Sequence, residues 1–128
     1  IRRKVRDLCL NGEVSTQEIL ANTEEYRLYY ELAVSAPRGE KIIGKGEAAA
    51  IALAKTYNGI IASNNLKDIS KYVEKYSLEH VATGDILVAA LNKGYIDEIA
   101  GNKIWSKMIA KRRILPTATF TEYLGTIE

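Results

Sequence analysis

The chain has 128 residues, 47% of them hydrophobic and 27% charged, and its formal net charge is +2. That is one soluble globular domain of ordinary size, long enough for a single core. A membrane span is excluded because the longest uninterrupted apolar run is Ala48–Ala54, and an internal disulfide because Cys9 is the only cysteine. No basic-then-apolar leader opens the chain, so the reducing cytoplasm is the expected compartment.

The first pattern is helical: Val5, Leu8 and Cys9 share one face of Arg2–Leu10, and Asn11–Gly12 breaks it. The chain starts at Ile1 already inside this pattern, and the expectation is a polypeptide lacking its natural start. After a short Glu13–Val14 segment, Ser15-Thr16-Gln17-Glu18 has the form of a capping box and predicts a helix running to about Ala36. Pro37–Gly39 ends it, and Lys41–Ile43 is a strand candidate. Glu47–Tyr57 is an alanine-rich helix stopped by Asn58–Gly59. Ile60–Ser63 then reads as a buried strand, Leu66–Tyr76 as a helix with Ile69, Val73 and Tyr76 on one face, and His80–Thr83 as a further strand. Helices follow over Asp85–Lys93 and Ile104–Lys111, the latter with Trp105, Met108 and Ile109 as its apolar side, and a last helical turn over Thr121–Leu124. Strands alternating with helices predict an α/β domain over residues 1–128, with helices packed on a short parallel sheet.

In such a sheet each helix starts at the carboxyl end of the strand before it, and ligand sites gather at that edge. Glu47, Asn65, Asp68, Asp85 and Glu18 all fall there on this reading. First-turn acids also offset the helix dipole, and Asn and Asp cap helices, so each residue alone has a structural explanation. Several carboxylates on one rim call for a cation. One histidine and one cysteine exclude a Cys/His zinc cluster, whereas carboxylate and amide oxygens suit Mg²⁺ or Mn²⁺ and phosphate-bearing substrates. His80 has no partner at ligand spacing and reads as a structural or surface residue, while Cys9 reads as a packing residue. Gly44-Lys45-Gly46-Glu47-Ala48-Ala49 matches a dinucleotide-binding pattern, but Glu47 puts a negative charge where the pyrophosphate must sit.

Charge is unevenly spread. Arg2, Arg3, Lys4 and Arg6 crowd the start, and Lys103, Lys107, Lys111, Arg112 and Arg113 follow one another with no acid between them. Such a segment is either a solvated helix face or a nucleic-acid-binding surface. The same stretch, Ile104–Pro116, has an apolar side that packs on the core or on a second chain.

The runs "GEAAAIALA" and "GIIASNNLKDI" resemble the carboxyl-terminal half of PIN-domain proteins, most clearly over residues 40–93. In that family an acid opens an alanine-rich helix, and the next strand ends in Thr-x-Asn/Asp-x-x-Asp-Phe. Glu47 matches the helix acid, and Ser63, Asn65, Asp68 and Ile69 match the strand-end motif, with serine for threonine and isoleucine for phenylalanine. The resemblance implies a helix-rich three-layer fold, a short parallel sheet flanked by helices, and a Mg²⁺- or Mn²⁺-dependent ribonuclease, in many members the toxin of a toxin–antitoxin pair. It implies metal ligation by Glu47 and Asp68, with Asn65 and Ser63 orienting ligands or water. Glu18 and Asp85 are further metal candidates by their place on the rim. RNA, an antitoxin protein and a second copy of the chain are the implied partners. The family's first strand, which carries an aspartate, has no counterpart here. The second family acid is displaced: spacing from Ser15 points to Ala21 or Asn22, with Glu18 one turn earlier. Weak or absent nuclease activity is therefore expected of the chain as given. Two other readings stand beside this one: a non-catalytic PIN-like module binding RNA or protein through Lys103–Arg113, and a nucleotide-binding domain at Gly44–Gly46.

Overall fold

Three of the helices start where a side-chain oxygen meets the free N–H groups of a first turn. Thr23 Oγ1 accepts from the Tyr26 N–H, Asp97 from Ala100 and Thr119 from Glu122. In the computed structural model, which describes residues 2–127, seven helices and two strands lie in that range. They are α1 (Arg2–Leu10), α2 (Glu24–Ala33), α3 (Lys45–Tyr57), β1 (Ile60–Ala62), α4 (Leu66–Lys75), β2 (Glu79–Val81), α5 (Thr83–Asn92), α6 (Glu98–Ala110) and α7 (Phe120–Thr126). The chain is thus a helix-rich α/β protein. None of the described helices is long and apolar enough to cross a membrane.

Two expectations fail here. The capping box at Ser15–Glu18 does not form; residues 15–20 are outside any helix, and α2 begins at Thr23. Two caps compete, and the later one wins because a helix from Thr23 lays Leu32 and Ala33 against α3, whereas Leu20 upstream finds no core and stays 57% exposed. Glu24 and Glu25 in the first turn of α2 also suit the helix dipole. Lys41–Ile43 is not a strand either. The Ile43 N–H donates to the carbonyl of Leu32 (2.9 Å), one of the open carbonyls at the end of α2, and Ile43 packs on the core. The segment is the return arm of an antiparallel helical hairpin, closed at its other end by the Tyr57 hydroxyl donating to Glu25 (3.4 Å).

The sheet consists of two strands among the described residues. β1 and β2 run parallel with Ile60 opposite Glu79, Ile61 opposite His80 and Ala62 opposite Val81, and α4 is the crossover between them. Ile61 points into the core, while Ile60 and Ala62 face outward and are exposed.

Apolar side chains collect in two clusters. The first holds Leu32, Ala48, Ile51, Ile61, Ile69 and Tyr72, with the small alanines letting α3 lie close to its neighbours. Asn58 ends α3 in the left-handed conformation (φ 54°), as the Asn58–Gly59 pair leads one to expect. The second cluster holds Leu87, Trp105 and Phe120, with Tyr123 packed against it. The Trp105 ring packs tilted against Phe120 (5.8 Å) and Tyr123 (5.2 Å), so Trp105 lies in the core, while Ile109 of the same expected face is exposed. β2 leads into α5 and thereby from the first cluster to the second. Asn64 bridges them as well: its carbonyl accepts from the Thr83 N–H (2.9 Å) and its amide donates to the Thr83 hydroxyl (2.8 Å). Helix α1 has no buried residue.

Candidate functional site

Helices α3, α4 and α5 each carry an acid at their third residue: Glu47, Asp68 and Asp85. That position favours a carboxylate in any helix, so the acids by themselves mean little. Their hydrogen bonds separate them. Asp85 folds back on its own helix, its Oδ2 accepting from the Ala82 N–H at 2.8 Å, and its Oδ1 accepts from the Tyr123 hydroxyl at 3.4 Å. Glu47 and Asp68 instead turn to a common point. Asn65 Nδ2 donates to Glu47 Oε1 (3.3 Å) and to Asp68 Oδ2 (2.8 Å).

The loop between β1 and α4 sets this up. The Asn65 N–H donates to Ser63 Oγ (3.0 Å), which fixes the backbone so that the Asn65 side chain reaches both acids. His80 Nε2–H donates to the Ser63 carbonyl (2.8 Å) from the neighbouring strand, a structural role for the only histidine. Glu47 lies back over the start of its own helix, close enough that a Cβ at Gly44 would push its carboxylate aside. Glu47, Ser63, Asn65 and Asp68 are all half-buried. Two carboxylates around one amide nitrogen repel each other, and the amide dipole offsets part of that repulsion.

The remaining candidates divide. Glu18 is exposed in the segment before α2, takes part in none of the rim's hydrogen bonds, and has no helix to place it. Asp85 lies next to the acidic pair but outside its hydrogen-bond network. Of the basic segment, Arg112 and Arg113 line a cleft of about 770 Å³ beside the pair, together with Asn64, Asn65, His80 and Tyr123. Lys103, Lys107 and Lys111 are exposed and do not line it.

Arg112 adopts a left-handed backbone (φ 61°) just past the end of α6. Its N–H donates to the Ile109 carbonyl (2.8 Å), and the Arg113 N–H to that of Met108 (3.0 Å). These are the paired bonds of a Schellman turn, whose left-handed residue is most often glycine. Tyr123 is held above the usual tyrosine value of 10.0, first by partial burial and then by the Asp85 carboxylate, which repels a phenolate and accepts the hydroxyl proton. Lys67, beside Asp68 at the start of α4, also lines the cleft, whereas nothing local ties Tyr123 to the rim. Tyr123 is 38 residues from the acid it touches.

Mg²⁺ and Mn²⁺ take hard oxygen donors, and Mg²⁺ is often held by one or two carboxylates with water and substrate phosphate completing its sphere. Glu47 and Asp68 fit that donor set in kind and number. Among the described residues no three Asp, Glu, His or Cys side chains gather as a metal-binding group. No family model, curated protein or solved structure matches this chain.

Proposed function

We propose that the rim at Glu47, Asn65 and Asp68 belongs to a PIN-like, divalent-metal-dependent ribonuclease, the three-layer family fold being part of that proposal. One observation carries the reading. Of three acids placed alike at the starts of three helices, one caps its own helix and two converge on Asn65. Glu47 and Asp68 would hold the ion, which when bound supplies Lewis-acid stabilisation to the charge that develops on a phosphate. Asn65 holds the two carboxylates in register, and Ser63 holds Asn65. Arg112 and Arg113 give the cleft next to the pair its positive charge, and phosphate binding follows from that. The family resemblance adds a cytoplasmic setting, an antitoxin protein and a homodimer to the same proposal.

The test has two readouts. Mg²⁺ or Mn²⁺ is expected to raise the melting temperature of the wild type and to support slow RNA cleavage. Glu47→Gln and Asp68→Asn should lose both effects. Metal-independent cleavage, no rise in melting temperature with either metal, or wild-type behaviour from these variants would refute the reading.

The second reading is a non-catalytic RNA-binding module, favoured by the presence of only two converging carboxylates among the described residues. It predicts salt-dependent RNA binding that EDTA leaves unchanged. Dinucleotide binding at Gly44–Gly46 gains no support, since the Glu47 carboxylate lies over Gly44 at the very start of α3.

A further inference from the structure

The cleft beside the acidic pair is assembled from parts of the chain that the ribonuclease reading leaves largely unused. They come from the start of α4, the junction of β2 with α5, the turn after α6, and Tyr123 of α7.

Three properties of this cleft point to one kind of ligand. It is cationic on balance: Lys67, Arg112 and Arg113 line it against one carboxylate, Asp85, which already accepts from the Ala82 N–H and the Tyr123 hydroxyl. Among the described residues the only ion pair joins Lys71 to Glu40. It carries apolar surface that folding has left open, with Ile114 85% and Leu66 48% exposed, alongside Pro116 and the Tyr123 ring. It also adjoins the acids, because Asn65 lines the cleft and hydrogen-bonds Glu47 and Asp68. An anionic group joined to a flat, largely apolar ring satisfies the first two properties. A phosphate shared with a neighbouring unit satisfies the third.

Arg112 adds an argument from backbone conformation. Its position just past a helix end favours glycine, yet an arginine stands there with positive φ. A cation at a helix C-terminus offsets the helix dipole, and here the same side chain also lines the cleft, where it can meet a ligand anion.

Resting on the ribonuclease reading of the rim, we infer that this cleft holds one nucleotide unit of an RNA substrate. Its phosphate lies on Arg112 and Arg113, its base lies among Tyr123, Ile114 and Pro116, and the adjoining phosphodiester falls at Glu47 and Asp68. Stacking on Tyr123 tolerates any base, so the site positions RNA without demanding a long recognition sequence.

The test is a titration of the protein in EDTA, where no metal-dependent cleavage can occur, with AMP, CMP, GMP and UMP in turn. Amide and indole resonances report binding; the Trp105 indole N–H donates to the Thr117 carbonyl, and its ring packs against Tyr123. Saturable shifts at Ile114, Tyr123, Asn65 and the Trp105 indole are expected from at least one mononucleotide. A short single-stranded oligoribonucleotide should move the same resonances. Arg112→Gly and Arg113→Gln should each weaken binding roughly tenfold, the loss of about one charge-assisted contact. Arg112→Gly relieves the backbone, so it stays folded. Because binding is read in EDTA, without metal or cleavage, its failure is distinguishable from failure of the reading it rests on. No saturable shift at millimolar nucleotide overturns the inference even if cleavage is found. So does inorganic phosphate binding as tightly as the mononucleotides, or mononucleotide binding that oligoribonucleotide does not share.

Discussion

Gly101 lies in the interior of α6 at the point where α7 crosses closest, and replacing it with alanine sets two effects against each other. Alanine favours a helix interior over glycine by about 1 kcal/mol. The new Cβ, however, would overlap the ring of Phe120, which is fully buried and packed against Trp105. Overpacking of this kind costs about 1–3 kcal/mol. The overlap is with a ring that has no free space to swing into, so the upper part of that range applies, and the net loss is about 1–2 kcal/mol. For a chain of this length that corresponds to a melting temperature lower by roughly 3–10 °C. Gly125 supplies the control. It is also helical, but a Cβ there meets open space, so Gly125→Ala should stabilise by about 0.5–1 kcal/mol. Thermal and urea unfolding followed by the fluorescence of Trp105, the only tryptophan, measure both variants. If Gly101→Ala is as stable as the wild type or more so, Phe120 does not pack on α6 as described, and the wall of the cleft that depends on α7 is wrong.

Asn64→Ala removes both hydrogen bonds to Thr83 and leaves the first N–H of α5 without its acceptor; a loss of about 1–3 kcal/mol in urea unfolding is expected. Arg112→Gly should gain about 1 kcal/mol by relieving the left-handed backbone, and a lower melting temperature would refute the Schellman assignment. Because the Tyr123 hydroxyl is raised above 10.0 in the folded protein, its contribution to stability is complete below that pH. That contribution disappears as the pH climbs through the folded value. Tyr123→Phe should therefore lose less stability than the wild type on going to strongly alkaline solution. Asp85→Asn should bring the ultraviolet titration of Tyr123 back toward the ordinary tyrosine range.

The parts of the fold that the sequence revealed are those with local causes. Glu47–Tyr57 and Leu66–Tyr76 are bounded by Gly and Asn on one side and strong apolar periodicity within, and α3 and α4 form within two residues of those limits. Strand–helix alternation accounts for Asn65 and Asp68 after β1 and Asp85 after β2, whereas Glu47 follows no strand and joins them through its hydrogen bond with Asn65. What was hidden depends on tertiary partners. Ser15–Glu18 has the residues of a capping box, but the helix that packs on α3 starts at Thr23. Lys41–Ile43 has the residues of a strand, but its N–H finds a helix carbonyl before it finds a sheet. The apolar side at Trp105, Met108 and Ile109 predicts only the second half of α6, which begins at Glu98 behind an Asp97 cap. The cleft was invisible, since its walls come from segments dozens of residues apart.

The two apolar clusters meet on a line that passes through the site. Glu47 and Asp68 stand on helices anchored in one cluster, while Asp85 and Tyr123 stand on helices anchored in the other. Each half therefore has its own free energy of opening, with few bonds such as the Asn64–Thr83 pair forcing them to open together. Anything bound across the line makes the two halves thermodynamically one body, because it is released when either half gives way. A ligand bound there would then be a structural component of the protein.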